Sequence, residues 1–159
     1  MPSGDSLRYI SKEAARQILL GKRVEKATAD VLTGSAVAIF TVSGGRVLVT
    51  SIIGEVTTII AAGTTPDAKF QSNPTTGTTN DMCGNLQIND DEVGTMYGIT
   101  GVPGDAMLDG KSGALRGMTN PVVVAVGAIE FICDENVTGS IKFQLHFIPL
   151  DDGADVVAA

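Results

Sequence analysis

The sequence predicts a mainly β protein, either an antiparallel β-sandwich or a jelly-roll-like barrel, with a partly helical arm at its N-terminus. Three observations predict this class. Short β-branched runs recur between turn-forming residues from residue 35 onward, no helical pattern is interleaved with them, and 19 glycines favour tight turns over a helical bundle. We therefore expect an N-terminal arm over residues 1–34 and a β-sandwich body over residues 35–159.

The arm contains one clear helix signal and one weak one. Ser11 can cap a helix over residues 12–20, and Gly21 can end it in a left-handed conformation. The weak signal consists of three apolar residues at helical spacing before Gly34: Val24, Ala27 and Val31. Neither segment is long or apolar enough to be stable alone in water. We therefore expect the arm to dock on its own body, on a sister subunit or on a larger assembly.

The body is expected to hold short strands separated by turns and by two long surface loops. Ser43, Gly44 and Gly45 predict a tight hairpin turn between the first two strands. The loops are rich in Thr, Gly and Pro and cover residues 61–81, around one short strand, and residues 101–118. The predicted strands are residues 36–42, 46–53, 55–60, 68–71, 85–88, 95–100, 121–126, 129–133 and 140–147.

The clearest periodicity lies near the C-terminus. From residue 141 to residue 147, apolar residues occupy every odd position and polar residues every even one, which predicts a strand with one wet face that includes His146. Residues 129–133 alternate in the same way, and the six residues between the two segments are turn-forming. This pattern predicts an antiparallel hairpin that helps to form the core and ends at Pro149.

Charge divides the chain unevenly. Residues 1–30 contain six basic and four acidic groups, which gives +2, and residues 31–159 contain five basic and fourteen acidic groups, which gives −9. An acidic body repels nucleic acid, whereas a basic arm is attracted to an acidic protein surface; an ordinary solvated helix face is the alternative. We predict that the arm contacts its partner through eight residues: Arg8, Lys12, Arg16, Ile18, Leu19, Lys22, Arg23 and Lys26.

No motif predicts catalysis, a cofactor or a metal site. Gly110-Lys111-Ser112 resembles the end of a phosphate-binding loop, but Asp105 stands where that motif requires its first glycine. His146 is the only histidine, so no imidazole cluster is available for a metal. The acidic segments 90–92 and 151–155 lack the alternate spacing of a calcium loop and are expected to be solvated turns, with weak ion binding as the alternative. We expect no enzymatic activity and no cofactor.

Composition narrows the partner classes further. Aromatic residues make up 4% of the chain and Trp is absent, which disfavours binding of sugars and of unstacked bases. The N-terminus lacks a secretory signal, and the longest apolar run, residues 122–129, is too short to cross a bilayer. We expect synthesis in the cytoplasm and no membrane association. Cys83 and Cys133 are expected to be buried thiols, with a disulfide as the alternative.

Five segments resemble small virion proteins of tailed bacteriophages, and among these the capsid decoration, or cement, proteins. The resemblance covers roughly residues 36–159 and contains no active-site motif. The segments are Val42-Ser43-Gly44-Gly45-Arg46-Val47-Leu48-Val49-Thr50, Ile53-Gly54-Glu55-Val56-Thr57, Asn73-Pro74-Thr75-Thr76-Gly77-Thr78, Tyr97-Gly98-Ile99-Thr100-Gly101 and Pro149-Leu150-Asp151-Asp152-Gly153-Ala154.

The resemblance implies a structural function. Cement proteins bind the outside of an expanded shell, bridge neighbouring capsomers and resist the pressure of packaged DNA. It implies the major capsid protein as partner, a homo-oligomer with a trimer as the favoured size, and a location on the capsid surface of the virion. The alternatives are a component of a tail or head fibre, a receptor-binding or glycan-binding module, and an enzyme whose reactive site is assembled between subunits.

Overall fold

The structure is a computed structural model that describes residues 10–61 and 65–159. Within these residues the chain forms one helix and twelve strands. They are α1 (Lys12–Leu20), β1 (Lys22–Ala29), β2 (Ala36–Ser43), β3 (Val47–Thr58), β4 (Asp67–Pro74), β5 (Asn80–Asp81), β6 (Leu86–Gln87), β7 (Met96–Gly98), β8 (Leu108–Gly110), β9 (Val122–Val124), β10 (Gly127–Cys133), β11 (Ser140–Pro149) and β12 (Asp155–Ala158).

The strands form two antiparallel sheets that pack as a sandwich, which confirms the predicted mainly β class with a short N-terminal helix. Sheet A has the order β1-β11-β3-β7-β8, with β9 beside the first part of β3. Sheet B has the order β12-β2-β10-β4-β5, with β6 beside the first part of β4. Each sheet buries one face against the other, and the helix lies outside this core.

The two predicted hairpins are wrong. The tight turn after Ser43 joins β2 of sheet B to β3 of sheet A, and residues 134–139 join β10 of sheet B to β11 of sheet A. Each turn therefore carries the chain across the core to the opposite sheet. Alternation identified the buried faces correctly. It did not distinguish two strands that pair from two strands that face each other, because both arrangements bury the same side chains.

The second helical segment predicted in the arm is also wrong. Residues 22–29 form β1, which pairs with β11 along the edge of sheet A, and Val31 and Leu32 are fully buried in the core. The sandwich therefore includes residues that the sequence assigned to the arm. Pairing with β11 satisfies the backbone groups on one side of β1 and completes the pairing of β11, and this tertiary gain outweighs a weak helical pattern. The short strand predicted at residues 68–71 within the loop at 61–81 is present and longer than expected: it is the eight-residue strand β4.

Four aromatic rings join the two sheets at the centre of the core. Phe70 and Phe131 come from sheet B, and Tyr97 and Phe143 come from sheet A. The ring of Phe131 lies 5.3 Å from that of Phe70, 5.4 Å from that of Phe143 and 6.5 Å from that of Tyr97. All four side chains are buried. Such pairs stabilise a core beyond the area that they bury.

The sides of the sandwich are closed differently. On one side, an isolated parallel bridge joins Gly84 to Ala106: the Gly84 amide donates to the Asp105 carbonyl and the Met107 amide donates to the Gly84 carbonyl. On the other side, the edge strands β1 and β12 approach each other without a backbone ladder between them. Lysines of β1 cross this gap. Backbone hydrogen bonds therefore close the first side of the sandwich, and lysine side chains close the second.

The two ends of the sandwich carry different turns. We define the head end by the turns at residues 43–46 and 149–155 and by the C-terminal end of α1. We define the tail end by the turns at residues 88–95 and 134–139, together with the chain that follows β1. The chain that follows β1 is held at the tail end by a hydrogen bond of 3.0 Å, which the Val137 amide donates to the Leu32 carbonyl.

We expect the central ring to be the most sensitive position of the core. Replacing Phe131 by Ala leaves a cavity between the sheets and should lower the free energy of unfolding by about 3–5 kcal/mol. Val157→Ala, at an exposed position of β12, should change it by less than about 0.5 kcal/mol. Urea denaturation followed by circular dichroism measures both values. A loss below about 1 kcal/mol for Phe131→Ala would contradict a shared aromatic core.

Candidate interaction surface

Helix α1 begins and ends at well-formed caps. The Ala14 amide donates to the Ser11 hydroxyl over 3.0 Å, and the Gly21 amide donates to the Gln17 carbonyl over 2.9 Å. Gly21 has a φ of +88°, and a Cβ there would lie 2.2 Å from the Phe147 carbonyl oxygen. Only glycine fits this close approach to β11. The helix predicted over residues 12–20 and the positions of its caps are therefore confirmed; Gly21 has a positive φ but, with a ψ of −167°, does not adopt the left-handed helical conformation that was predicted.

The large apolar side chains at the end of α1 point into solvent. Ile18 is 70% exposed, Leu19 is 78% exposed and Leu20 is 42% exposed. We call these three residues the apolar ridge. No residue of α1 is buried, so the helix gives the core of its own chain none of its apolar side chains. Such exposed leucines and isoleucines, grouped on one short element, are typical of an interaction surface.

The apolar surface continues from the ridge onto sheet A. Gly21 packs against Ile148, whose exposed side chain lies on the outer face of β11. Leu48 of β3 pairs with Ile148 on one side and with Val123 of β9 on the other. Val123 is also exposed. The head end therefore presents a row of aliphatic side chains across three strands beside the helix.

His146 lies beneath this region and is not the surface residue that the sequence predicted. It is on the outer face of β11, yet it is only 4% exposed. Arg16 and Glu13 of α1 and Arg23 and Glu25 of β1 are close enough to influence its charge. Neither ring nitrogen has a hydrogen-bond partner. Burial, and then the positive charges of Arg23 and Arg16, lower the pKa of His146 below its ordinary value of 6.5.

The structure divides the predicted contact residues between two elements. Lys12, Arg16, Ile18 and Leu19 lie on α1, whereas the other described members lie on β1. Arg8 lies outside the described residues. Four basic members have partners within the chain, and these surface pairs contribute little to stability. The pairs are Arg16 with Glu13 (2.9 Å), Lys22 with Asp155 (3.6 Å), Arg23 with Glu25 and with Gln144, and Lys26 with the Ala159 carbonyl oxygen.

The lysines of β1 are placed so that they protect the sandwich edge. Lys22 and Lys26 pair with Phe147 and Phe143, whose side chains point into the core, so both lysines occupy inward-facing positions of an edge strand. The ammonium group of Lys22 lies 5.9 Å from the centre of the Phe147 ring. Inward-facing charges on edge strands prevent another strand from pairing there. These two residues therefore suit edge protection better than contact with a partner.

The acidic segment at residues 90–92 forms a rigid turn at the tail end. Asp91 is buried. Its carboxylate accepts a hydrogen bond of 2.6 Å from the Tyr97 hydroxyl and forms an ion pair of 2.7 Å with Lys111. Burial and the Asp91 hydrogen bond raise the pKa of Tyr97 strongly, so this phenol stays protonated. Lys111 belongs to the Gly-Lys-Ser segment, which lies in a turn after β8 where no helix follows.

Two exposed apolar residues flank this turn, and the sequence analysis missed both as contact residues. Val93 is 65% exposed, and Ile59, which follows β3, is 53% exposed. Their backbones are neighbours, because the Ile60 amide donates to the Asp91 carbonyl and the Gly94 amide donates to the Val56 carbonyl. We call Ile59 and Val93, with the acidic Asp90 and Glu92, the tail patch. The sequence signal that could have identified the tail patch is the single valine next to the acidic residues 90–92.

The outer face of sheet A between α1 and the tail end holds an open depression of about 700 Å³. Its walls carry both signs of charge, including an ion pair of 3.0 Å between Lys142 and Glu55. Phe143 is the one aromatic residue in its lining among the described residues, and its ring is buried in the core. The depression therefore offers polar contacts without an aromatic platform.

The remaining chemical groups serve the structure. Cys83 and Cys133 are free and buried, which confirms the prediction of buried thiols, and burial raises the pKa of Cys83 to about 11. No cluster of three or more His, Cys, Asp or Glu suited to a metal ion occurs within residues 10–61 and 65–159. In the same part of the chain, no helix has both the length and the apolar character needed to cross a membrane.

Comparison with known proteins gave no match: the chain matches no protein-family model, no curated protein and no solved structure.

We expect His146 to make stability depend on pH. The unfolded chain binds a proton at this residue below about pH 6.5. The folded chain binds it only at lower pH, so the free energy of unfolding should fall as the pH drops from 6.5 toward the folded pKa, by at most about 1.4 kcal/mol per pH unit. His146→Leu removes the only histidine, and with it this decrease of the free energy of unfolding toward acidic pH. Urea denaturation of both proteins between pH 7.5 and pH 5 measures the difference.

The two curves should diverge toward acid, with the variant the more stable. At pH 7.5 the leucine should cost little, because neither imidazole nitrogen has a hydrogen-bond partner to lose. Parallel curves over the whole range would show that the folded and unfolded chains bind this proton equally well.

Proposed function

We propose that this protein is a structural virion protein that binds the outer surface of a tailed-bacteriophage capsid and stabilises it by bridging capsomers. It acts by binding and carries out no reaction. Its partners are the major capsid protein and further copies of itself. It is synthesised in the host cytoplasm and resides on the surface of the virion.

The apolar ridge is the observation that carries this proposal. A helix of nine residues is too short to be stable alone, and α1 is held on sheet A by its caps and by a hydrogen bond from the Thr50 hydroxyl to the Leu20 carbonyl. Its large apolar side chains nevertheless face solvent. Since an exposed apolar cluster is costly in water, its position is explained by a neighbouring chain that covers it in an assembly.

The position of the segments that resemble cement proteins also supports the proposal. The turn after β2, the loop at residues 73–78 and the turn after β11 all lie at the head end, where the ridge is. Turns and loops on a rigid sandwich are common contact surfaces. Three of the five segments that carry the resemblance thus lie at the same end of the sandwich as the ridge.

A glycan-binding module is the second candidate, and the open depression on sheet A favours it. Arg23, Gln144 and Lys142 supply hydrogen-bond donors and acceptors there. The depression lacks the exposed aromatic ring on which sugars usually stack. A glycan array distinguishes this candidate from a capsid protein, because a ligand in the depression should be lost in Gln144→Ala and retained when the ridge is changed.

We expect the ridge to be required for decoration. Expanded shells that lack a decoration protein should bind the wild-type chain and become more resistant to heat. Replacing Ile18 and Leu19 by Asp removes two apolar side chains from the contact and should weaken binding at least about tenfold. Cosedimentation with shells gives the number of bound copies, and electron microscopy of the decorated shells gives their location.

Val157→Asp is the control, since it replaces one exposed apolar side chain of sheet B by Asp and adds one of the two negative charges that the ridge variant adds. The control should decorate shells as the wild type does. A wild-type chain that binds no shell, or that is found only on tails or fibres of intact particles, would overturn the assignment to the capsid surface. A truncation should remove residues before Gly21 only, because residues 22–32 belong to the sandwich.

A further inference from the structure

The two ends of the sandwich present surfaces that match each other. The ridge at the head end and the tail patch are both apolar at their centres. They are far apart in one chain, because the 12-residue strand β3 that runs between the two ends spans roughly 40 Å. The ridge and the tail patch of a single copy therefore do not meet.

Charge distinguishes the two surfaces. Lys12 and Arg16 precede Leu19 by seven and three positions, so all three share one side of α1. At the tail end, six acidic residues stand against one lysine, Lys111, which is already paired with the buried Asp91. The acidic residues are Asp30, Asp90, Asp91, Glu92, Asp134 and Glu135. On α1, Arg16 is likewise paired, with Glu13, and the head-end turn at residues 149–155 carries three Asp, two of which pair with basic residues. The basic side of the ridge is therefore confined to Lys12 and Arg16 on α1, whereas acidic groups predominate around the tail patch.

Both surfaces are ordered by hydrogen bonds within their own chain. Capping by Ser11 and Gly21 fixes α1, and the Tyr97 and Lys111 contacts of Asp91 fix the turn that carries Val93. The Thr95 amide closes this turn by donating to the Glu92 carbonyl over 3.0 Å. Association between preformed surfaces loses little conformational entropy, which favours binding.

We propose that the apolar ridge of one copy docks on the tail patch of a second copy. Ile18 and Leu19 pack on Ile59 and Val93, and the bases of α1 face the acids around the tail patch. The occupant is a second copy because both halves of the matched pair are carried by the same chain. The contact is heterologous, so an open chain of copies retains one free ridge at one end and one free tail patch at the other until a ring closes.

In the proposed function a neighbouring chain covers the ridge, and here that chain is a second copy of the protein. Copies joined head to tail bind a shell at several points at once, and linked weak contacts hold far more tightly than single ones. The role of the contact in decoration rests on the proposed function. Self-association itself can be measured without shells, so the two proposals can fail separately.

Mixing two complementary variants tests the contact. The ridge variant is Ile18→Asp with Leu19→Asp, and the tail variant is Ile59→Asp with Val93→Asp; all four side chains are exposed, so folding should be unaffected. Two altered surfaces carry the same charge and repel each other, so the mixture cannot form a second contact. Each variant alone has lost one half of every contact and should be monomeric by sedimentation equilibrium. An equal mixture retains one intact ridge and one intact tail patch, and should form a 1:1 dimer that grows no further.

Wild type and the Val157→Asp control should instead form rings or longer chains, and high salt should weaken them because charges border the contact. Formation of the mixed dimer also shows that both variants are folded. A wild-type chain that stays monomeric at its highest soluble concentration overturns the inference, as does a mixture that stays monomeric. Self-association without shell binding would leave this inference standing and overturn the proposed function.

Discussion

Contact between four aromatic rings at the centre of the sandwich is the constraint on which the other features depend. The chain has five Phe and two Tyr, and Phe70, Tyr97, Phe131 and Phe143 meet in one cluster. Each ring comes from a different strand, two from each sheet. The sheets must therefore pack face to face at this point, which fixes the inner faces of β10 and β11. Their outer faces, the covering helix and the two ends follow from that orientation.

The same constraint explains which parts of the fold the sequence could predict. Alternation of period two revealed that Ile141, Phe143, Leu145 and Phe147 point inward, and all four are buried. The sheet to which each strand belongs depends on partners distant in sequence. The 134–139 turn was expected to close a hairpin, yet it carries the chain from one sheet to the other. Local turn chemistry is compatible with both paths, so only the packed core decides between them.

The candidate site divides along the same line. Caps at Ser11 and Gly21 are local signals, and they correctly predicted where α1 begins and ends, and therefore that Ile18 and Leu19 lie on it. Two features depend on long-range packing. Strand β1 exists because β11 offers it an edge, and His146 is buried because α1 and β1 lie against its strand. Neither feature is encoded in the few residues around Val24 or His146. Local patterns therefore predicted a helix around Val24 and an exposed imidazole at His146.

The edge strands of this molecule are protected from pairing with another chain, and its two ends expose apolar side chains. Contacts between copies are therefore favoured at the ends of the sandwich over its edges. A β-sandwich ordinarily risks association through its edge strands. Here the inward-facing Lys22 and Lys26 guard β1 and cross to β12, and a backbone bridge at Gly84 closes the opposite side. Apolar side chains are instead exposed on α1 near the head end and beside Asp90 and Glu92 at the tail end. Because pairing along the edges is blocked, copies that meet through these surfaces must do so with their sandwiches in a single relative direction. Repetition of one such contact produces a closed ring or a regular chain. Under the proposed function, such an array would meet a periodic capsid surface at many points.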